Sequence, residues 1–550
     1  MTGETIQTLR ESEKKIWSYE SVPIVPGALR LIKVNELLTK DATIAVSEWT
    51  DLDLTQGKPG VENSNIPKYA TISHSWAASE EVQRISAAAN RPLSIDLGEK
   101  EKPKKNANND DQDTDNDNDK QNHDHATEKK LHEISWLGLT QAAKAAQFLG
   151  CEYLWLDLAC IHQDRHDDKV LQIAIMGHVY ERAIAVIVMP GGVAAAQDID
   201  HYTPWMTRAW TLQEATLSPD NVHVLILHEK WDRDNYDYTV MTTGPWYNVK
   251  NIDDHLAVSG LRDLLSCRKG GLKIERTSKS TGYTEKVPFT VRCFGEDEAL
   301  ITALEGLITG QTDAMRKSAA WRSMWLRTST KPQDMVFSVM HLLGVHIDVD
   351  YKRDREGLVL ELARKTSSFP SWLDIGFNIP FDPRFGLVPA LPLFLSNSAP
   401  CYDLDGEVPV HKFIEQGTYI TEYDLKILTP SDASMDGDII CSEIFAISYE
   451  RQSEPTISNA QGATYSFAPH DQVTGSHIVV LGPAQVYGLA HLGLMGFQGP
   501  VVIYVGKSTE GVWERLSNRT MIPDSFVGNA RSHLRIGGPP GAEILPCDCK

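Results

Sequence analysis

Within seven residues, the stretch "RAWTLQE" sets out Arg208, Trp210, Gln213 and Glu214, side chains with the functional groups for chemistry. Trp210 and Glu214 stand four apart, so on a helix they share a face. An aromatic plane beside a carboxylate suits the sugar or base of a nucleoside. Arg208 lies on another side of such a helix and would reach Asp157 or Asp164 across a sheet edge rather than Glu214. Two further stretches bring comparable groups: "ISHSW" supplies Ser73, His74 and Trp76, and "DLACIHQD" supplies Asp157, Cys160, Gln163 and Asp164. A plain structural reading stands beside this one. Arg–Asp pairs often do no more than tie a helix to a strand end, and charge clusters point to function only statistically.

The elements that must position these residues alternate in type. "KYATISHSW" (68–76) is a short β-rich run, and "GLTQAAKAAQFLG" (138–150) is an Ala-rich helix closed by Gly150 as its cap. "YLWLDL" (153–158) reads as a buried strand. Residues 167–183 form a helix with Val170, Ile173, Ala174, Gly177 and Tyr180 on one face. "AIAVIVM" (183–189) is apolar throughout, as a central parallel strand is. Residues 203–218 read as one helix, with Thr203 as N-cap and Pro204 at its first position, and "VHVLIL" (222–227) is a further strand. The alternation predicts a doubly wound α/β layer with right-handed crossovers. Ligands bind such sheets at the carboxyl ends of the strands. There Ser73, His74 and Trp76 converge with Asp157 to Asp164, and with the helix that follows Gly191-Gly192.

Composition sets the wider frame. The 550 residues exceed one ordinary core, so two or three domains are expected. A net charge of −21 argues against binding nucleic acid or an anionic membrane, which demand a basic surface. Residues 99–133 hold 11 acids and 7 bases and almost no large apolar side chain, which predicts a disordered acidic insertion. It accounts for −4 of the charge; the remaining −17 is spread along the chain. Four segments are expected: an N-terminal extension (1–60), the α/β domain (61–230), a mainly helical segment (231–384) with a turn at Lys331-Pro332, and a β-rich region (385–550). The polar N-terminus and the lack of a long apolar run predict a soluble, cytoplasmic protein.

Other motifs carry less. "VGKST" (505–509) has Val501 where a phosphate loop needs glycine, and reads instead as part of a hairpin. HExxH, paired CxxC and GxSxG are absent, and no metal or cofactor is expected. Cys547-Asp548-Cys549 and His123-Asp124-His125 read as incidental. Eight cysteines without regular spacing read as reduced thiols. Cys160 beside His162 is a thiol–imidazole candidate, but side chains two apart at a strand end need not meet.

"YATISHSW", "YLWLDLACIHQD" with the helix and strand that follow it, and "PWMTRAWTLQEA" resemble, in order and spacing, the three signature blocks of the fungal heterokaryon-incompatibility (HET) domain. "RTSTKPQDMVFSVMHLLGV" and "FPSWLDI" resemble segments that commonly follow it. His74, Ala77 and His162 depart from the Tyr, Gly and Asn usual in the blocks. The resemblance implies a role in fungal self/non-self recognition ending in cell death, with a protein partner from an incompatibility system and self-association among the interactions it brings to mind. HET domains are in turn similar to TIR domains, of flavodoxin-like fold, in whose NAD+-cleaving members a Trp four residues before a Glu marks the catalytic helix. The similarity implies NAD+ as substrate and Glu214 as the catalytic group. Trp210, Arg208, Asp157, Gln163 and the other residues named above would shape the site. Two other readings stand beside it. One is a non-enzymatic assembly module in which the same residues form a buried network and Glu214→Gln lowers stability; the other is a HET-like protein recruited to an unrelated pathway.

Overall fold

Four of the apolar runs become parallel strands at the centre of a nine-stranded sheet in the computed structural model. The structure describes most of residues 25–54, 66–75, 132–227, 235–241 and 249–365, with strands 4–10 and 92–95 and short segments between 369 and 536. The strands are β1 (Glu4–Arg10), β2 (Leu29–Lys33), β3 (Thr43–Trp49), β4 (Tyr69–His74), β5 (Pro92–Ile95), β6 (His132–Ser135), β7 (Tyr153–Trp155), β8 (Ala185–Met189), β9 (Val222–Leu227), β10 (Tyr236–Met241), β11 (Val249–Asn251) and β12 (Leu256–Gly260). The central sheet runs β1-β3-β2-β7-β4-β8-β9-β12-β11. Its parallel part, β7-β4-β8-β9, starts at β4, steps one way to β7, then reverses to β8 and β9. The helices Trp136–Phe148, His166–Arg182 and Trp210–Thr216 connect these strands, and with the right-handed crossovers usual for parallel strands the first covers one face and the other two the opposite face. The last two pack against each other.

The expected parallel sheet is thus present but is only the centre. Antiparallel strands flank it on both sides, β2, β3 and β1 on one and β12 and β11 on the other. An open parallel sheet has two edges of unpaired backbone groups, and these ribbons satisfy them. Residues 1–60 therefore contribute three strands to the same sheet. Among the described residues between 231 and 384, five helices, Leu261–Cys267, Glu298–Thr309, Asp313–Trp325, Asp334–Met340 and Arg355–Arg364, share the segment with a small antiparallel sheet of Tyr236–Met241, Leu272–Ser278 and Thr284–Phe289. Beyond residue 369 the described segments are mainly short strands paired antiparallel, among them 499–507 with 513–515. The 99–133 insertion, apart from His132 and Glu133 in β6, lies outside the described residues, as do both incidental metal-like motifs.

Two elements depart from expectation locally. The 153–158 strand stops at Trp155, and Asp157 opens a helical turn to Cys160. The 203–218 helix is broken into a 3-10 turn, Trp205–Thr207, and an α-helix, Trp210–Thr216, with Arg208 extended between them. The break has a tertiary cause. Thr328 N–H donates to the Thr207 carbonyl at 2.6 Å, and Ala209 N–H donates to the Thr328 carbonyl at 3.0 Å, so these backbone groups bond to another segment instead of a helix. Gly150 takes the positive φ expected of a cap, +82°. At Gly177 an added Cβ would lie 2.4 Å from the His341 ring, so only glycine lets the two segments meet there.

One buried ion pair joins the first ribbon to the parallel centre. Arg30, in β2, and Asp168, in the first turn of the His166–Arg182 helix, have no exposed side-chain surface. Arg30 donates Nη1 to Asp168 Oδ2 (2.9 Å) and Nη2 to Oδ1 (2.6 Å), and its other N–H groups go to the carbonyls of Cys160 and Val25 and to Glu48. Asp168 also accepts from the backbone N–H of Gly27 and of His162. Removing one partner strands a buried charge, so Asp168→Asn is expected to cost about 3–5 kcal/mol. Arg30→Met combined with Asp168→Leu should cost much less than the two single changes added together. Urea midpoints of the three variants measure this, and additive losses would contradict it.

Candidate functional site

Strand register builds the site. Ser73 and His74 are the last residues of β4, level with Val188 and Met189 of β8. β7 is in register with Thr71 at Trp155 and then ends, so Asp157 emerges two residues on, beside Ser73 and His74. His74 Nε2 lies 2.7 Å from Asp157 Oδ1, and its Nδ1 faces the Ser75 carbonyl at 3.2 Å. Burial alone would lower the His74 pKa, but the Asp157 charge and hydrogen bond, with Glu214 and the Ser75 carbonyl, outweigh it and raise it. With both ring nitrogens facing acceptors, the protonated imidazolium is the form that satisfies both. Asp157 is itself held by the Leu158 N–H at 2.7 Å, and its carbonyl accepts from Gln163 Nε2 at 2.9 Å.

Glu214 comes to the same strand end from the covering helix. Trp205 Nε1 donates to Ser73 Oγ at 2.9 Å, which leaves the Ser73 hydroxyl to donate to Glu214 Oε2 at 2.7 Å. Glu214 is only 5% exposed. Burial foremost, then the Asp157 charge, push its pKa up to about 7, against the opposing pull of His74, Ser73 and Arg208. The site therefore combines a carboxyl poised near neutrality, an imidazolium and a carboxylate, with Asp157 reaching the surface (13% exposed). Such a set can stabilise developing positive charge or move a proton.

The remaining predicted site residues divide. Asp157 takes His74 as its partner, not Arg208; Arg208 is half-buried and acts on Glu214 through its charge. The Trp210 indole is engaged by Asp334, whose carboxyl also accepts from Ser329 and Tyr351. Gln213 lies between two helices; with its side-chain amide turned so that the nitrogen faces Ser338, it donates to the Ser338 carbonyl (3.2 Å) and accepts from Gly177 N–H (3.1 Å). Cys160 is fully buried under its own turn, with Leu156 N–H on its sulfur, and burial pushes its thiol up to about 12, which removes it as a nucleophile near neutral pH. Trp76 and Asp164 lie outside the described residues. Three participants were missed by sequence reasoning: Trp205, Arg327 and the Arg30–Asp168 pair. For Arg30 a signal existed, an arginine inside the apolar run "ALRLIKV". Among the described residues, no group of three or more His, Cys, Asp or Glu is placed to hold a metal, and no helix is long and apolar enough to cross a membrane.

A parallel α/β centre with an acid–imidazole cluster at the ends of its strands defines the class of domain. Residues 69–202 match the family model described as heterokaryon incompatibility protein (HET), which supports a HET domain over that stretch of the chain. The match includes Ser73, His74, Asp157, Cys160 and Gln163, and ends before Trp205 and the Glu214 helix. No curated protein and no solved structure matches the chain.

Glu214 also fixes a pH dependence. Its native pKa lies above the ordinary 4.5, so its contribution to stability is complete below 4.5 and is lost as pH rises through about 7. His74, also raised, works in the same direction: its contribution is complete below 6.5 and is lost above its native value. Gln at 214 keeps the acceptor for Ser73 and never ionises. Wild type is therefore expected to lose roughly 3 kcal/mol relative to Glu214→Gln between pH 4.5 and 8. The variant thus becomes the more stable protein at alkaline pH, the reverse of what a network of permanent charges predicts. Denaturant titrations at pH 5, 6.5 and 8 measure this, and a pH-independent difference would contradict it.

Proposed function

We propose that this chain is an effector of fungal self/non-self recognition that triggers cell death, and that its HET domain cleaves NAD+ with Glu214 as the catalytic group. The observation that carries the reading is a buried carboxyl poised near neutrality where the parallel strand order reverses. That reversal is where open wound sheets bind ligands. The parallel strands, numbered along the chain, lie in the order 2-1-3-4, which supports likeness to a flavodoxin-like or TIR-like sheet. The Trp210–Glu214 spacing supports it further, though fold alone does not fix activity.

In this reading the glycosidic C–N bond breaks with its electron pair leaving on nicotinamide, and water adds to the anomeric carbon to give ADP-ribose. Ionised Glu214 hydrogen-bonds the ribose hydroxyls and stabilises the oxocarbenium-like transition state. Trp210 walls the sugar, Arg208 takes the pyrophosphate, and His74, Asp157 and Gln163 shape the floor. NAD+ is the substrate and no further cofactor takes part. The protein acts in the cytoplasm, with a partner from an incompatibility system or with copies of itself.

One observation favours a second reading. Glu214 is 5% exposed and already bonded to Ser73, as in a structural network. In that case the HET domain is an assembly module, and its output is association. Nicotinamide release from NAD+ by the full-length protein separates the two. Release that falls about 100-fold or more in Glu214→Gln supports catalysis. A rate unchanged by the substitution removes Glu214 from the mechanism, and no release from folded wild type favours the assembly module.

A further inference from the structure

Past the end of the Asp313–Trp325 helix, the chain returns to the Glu214 helix with a fully buried arginine. Arg327 has no exposed surface. Its Nε donates to Ser323 Oγ at 3.0 Å, and its Nη1 donates both to the Arg208 carbonyl at 2.9 Å and to Thr211 Oγ1 at 2.8 Å. Thr211 in turn donates to the Trp205 carbonyl at 2.7 Å. The backbone of Thr328 adds the bridge to Thr207 and Ala209 that breaks the longer helix. Arg327 therefore grips the turn that carries Trp205, and Trp205 is the residue that orients Ser73 toward Glu214.

Among the described residues, no carboxylate is in hydrogen-bonding contact with Arg327. Its Nη2 is buried without a partner, and Glu214 is the charge that acts on it. A methionine would fill the same space without burying a charge. What the guanidinium supplies beyond volume is its hydrogen bonds to the 208–211 turn and a positive charge near Glu214.

We propose that Arg327 is a positioning residue for Glu214: it holds the 205–211 turn so that the Trp205–Ser73 relay aims the carboxyl, and its charge favours the ionised form. The inference rests on Glu214 being the working group of the site. It also makes the segment after residue 298, beyond the family match, a part of that site.

The test is a titration of Glu214 in the full chain carrying 13C-carboxyl glutamate, with Glu214→Gln identifying the signal. Arg327→Met is expected to raise the midpoint by about half a pH unit or more, roughly threefold in the dissociation constant, and Arg327→Lys to restore most of it. A folded Arg327→Met protein that titrates like wild type overturns the proposal, as does a lysine variant that behaves like the methionine one. Should Arg327→Met not fold, Arg327→Lys and Thr211→Val are read instead: displacement in either supports the proposal and wild-type behaviour in both overturns it. Nicotinamide release, followed in parallel, keeps the two ideas apart. A displaced midpoint without release from wild type leaves Arg327 in place and removes the NAD+ chemistry. Glu214-dependent release with an undisplaced midpoint does the opposite.

Discussion

The Arg30–Asp168 pair is the constraint on which the site depends. A buried ion pair is favourable only when its remaining donors and acceptors are met, because desolvation otherwise exceeds the attraction between the charges. Here all five guanidinium N–H groups and both carboxylate oxygens are occupied. The partners are what matter. Cys160 and His162 belong to the loop between β7 and the next helix, so the pair clamps the turn on which Asp157 and Gln163 sit. Asp157 then holds His74. The clamp comes from β2, a strand outside the 69–202 match, so the first sixty residues help to set the geometry of the domain that follows them.

Glu214 shows how the second half of the site is balanced. Burial and Asp157 disfavour its charge, while His74, Ser73 and Arg208 favour it. These opposing effects leave the carboxyl near the middle of the physiological range, where small changes in position shift its ionisation most. A fully solvated carboxylate at this place would stay ionised, and one without Ser73 and His74 would stay protonated. The relay from Trp205 through Ser73 is thus both a positional and an electrostatic device, since a hydroxyl that accepts from an indole keeps its own proton to donate to the carboxyl.

Much of the layer was legible from pattern alone, because its cause is local. Apolar runs such as 185–189 and 222–227 can only be buried strands, and the Ala-rich 136–148 helix closes at a glycine that adopts the positive φ its position requires. Ser73, His74, Asp157 and Glu214 were readable as strand-end and helix-face residues. What sequence reasoning missed has its cause far away in the chain. The break at Arg208 is imposed by Thr328, 120 residues later, and no local propensity encodes it. Partner choice was equally hidden: spacing offered Arg208 either Asp157 or Asp164, and parallel register brought His74 to Asp157. Gln213 and Trp210 stand in the signature block beside Glu214, and their contacts toward Ser338, Gly177 and Asp334 also make them joints between helices.

Those joints alter what the domain is. The helix that carries Glu214 is seven residues long, too short to hold its conformation without tertiary contacts. Its N-terminal turn is fixed by Arg327 and Thr328, its Trp210 by Asp334, and its Gln213 by Ser338. All four partners lie in one later stretch, 327–338, and the family match covers none of them. The parallel sheet supplies Ser73, His74 and Asp157 from one side, but the position of Glu214 against them is decided from the other. The chemistry-bearing unit is therefore not the matched segment alone: the strand-end residues and their carboxyl meet only where two separately encoded halves are packed together.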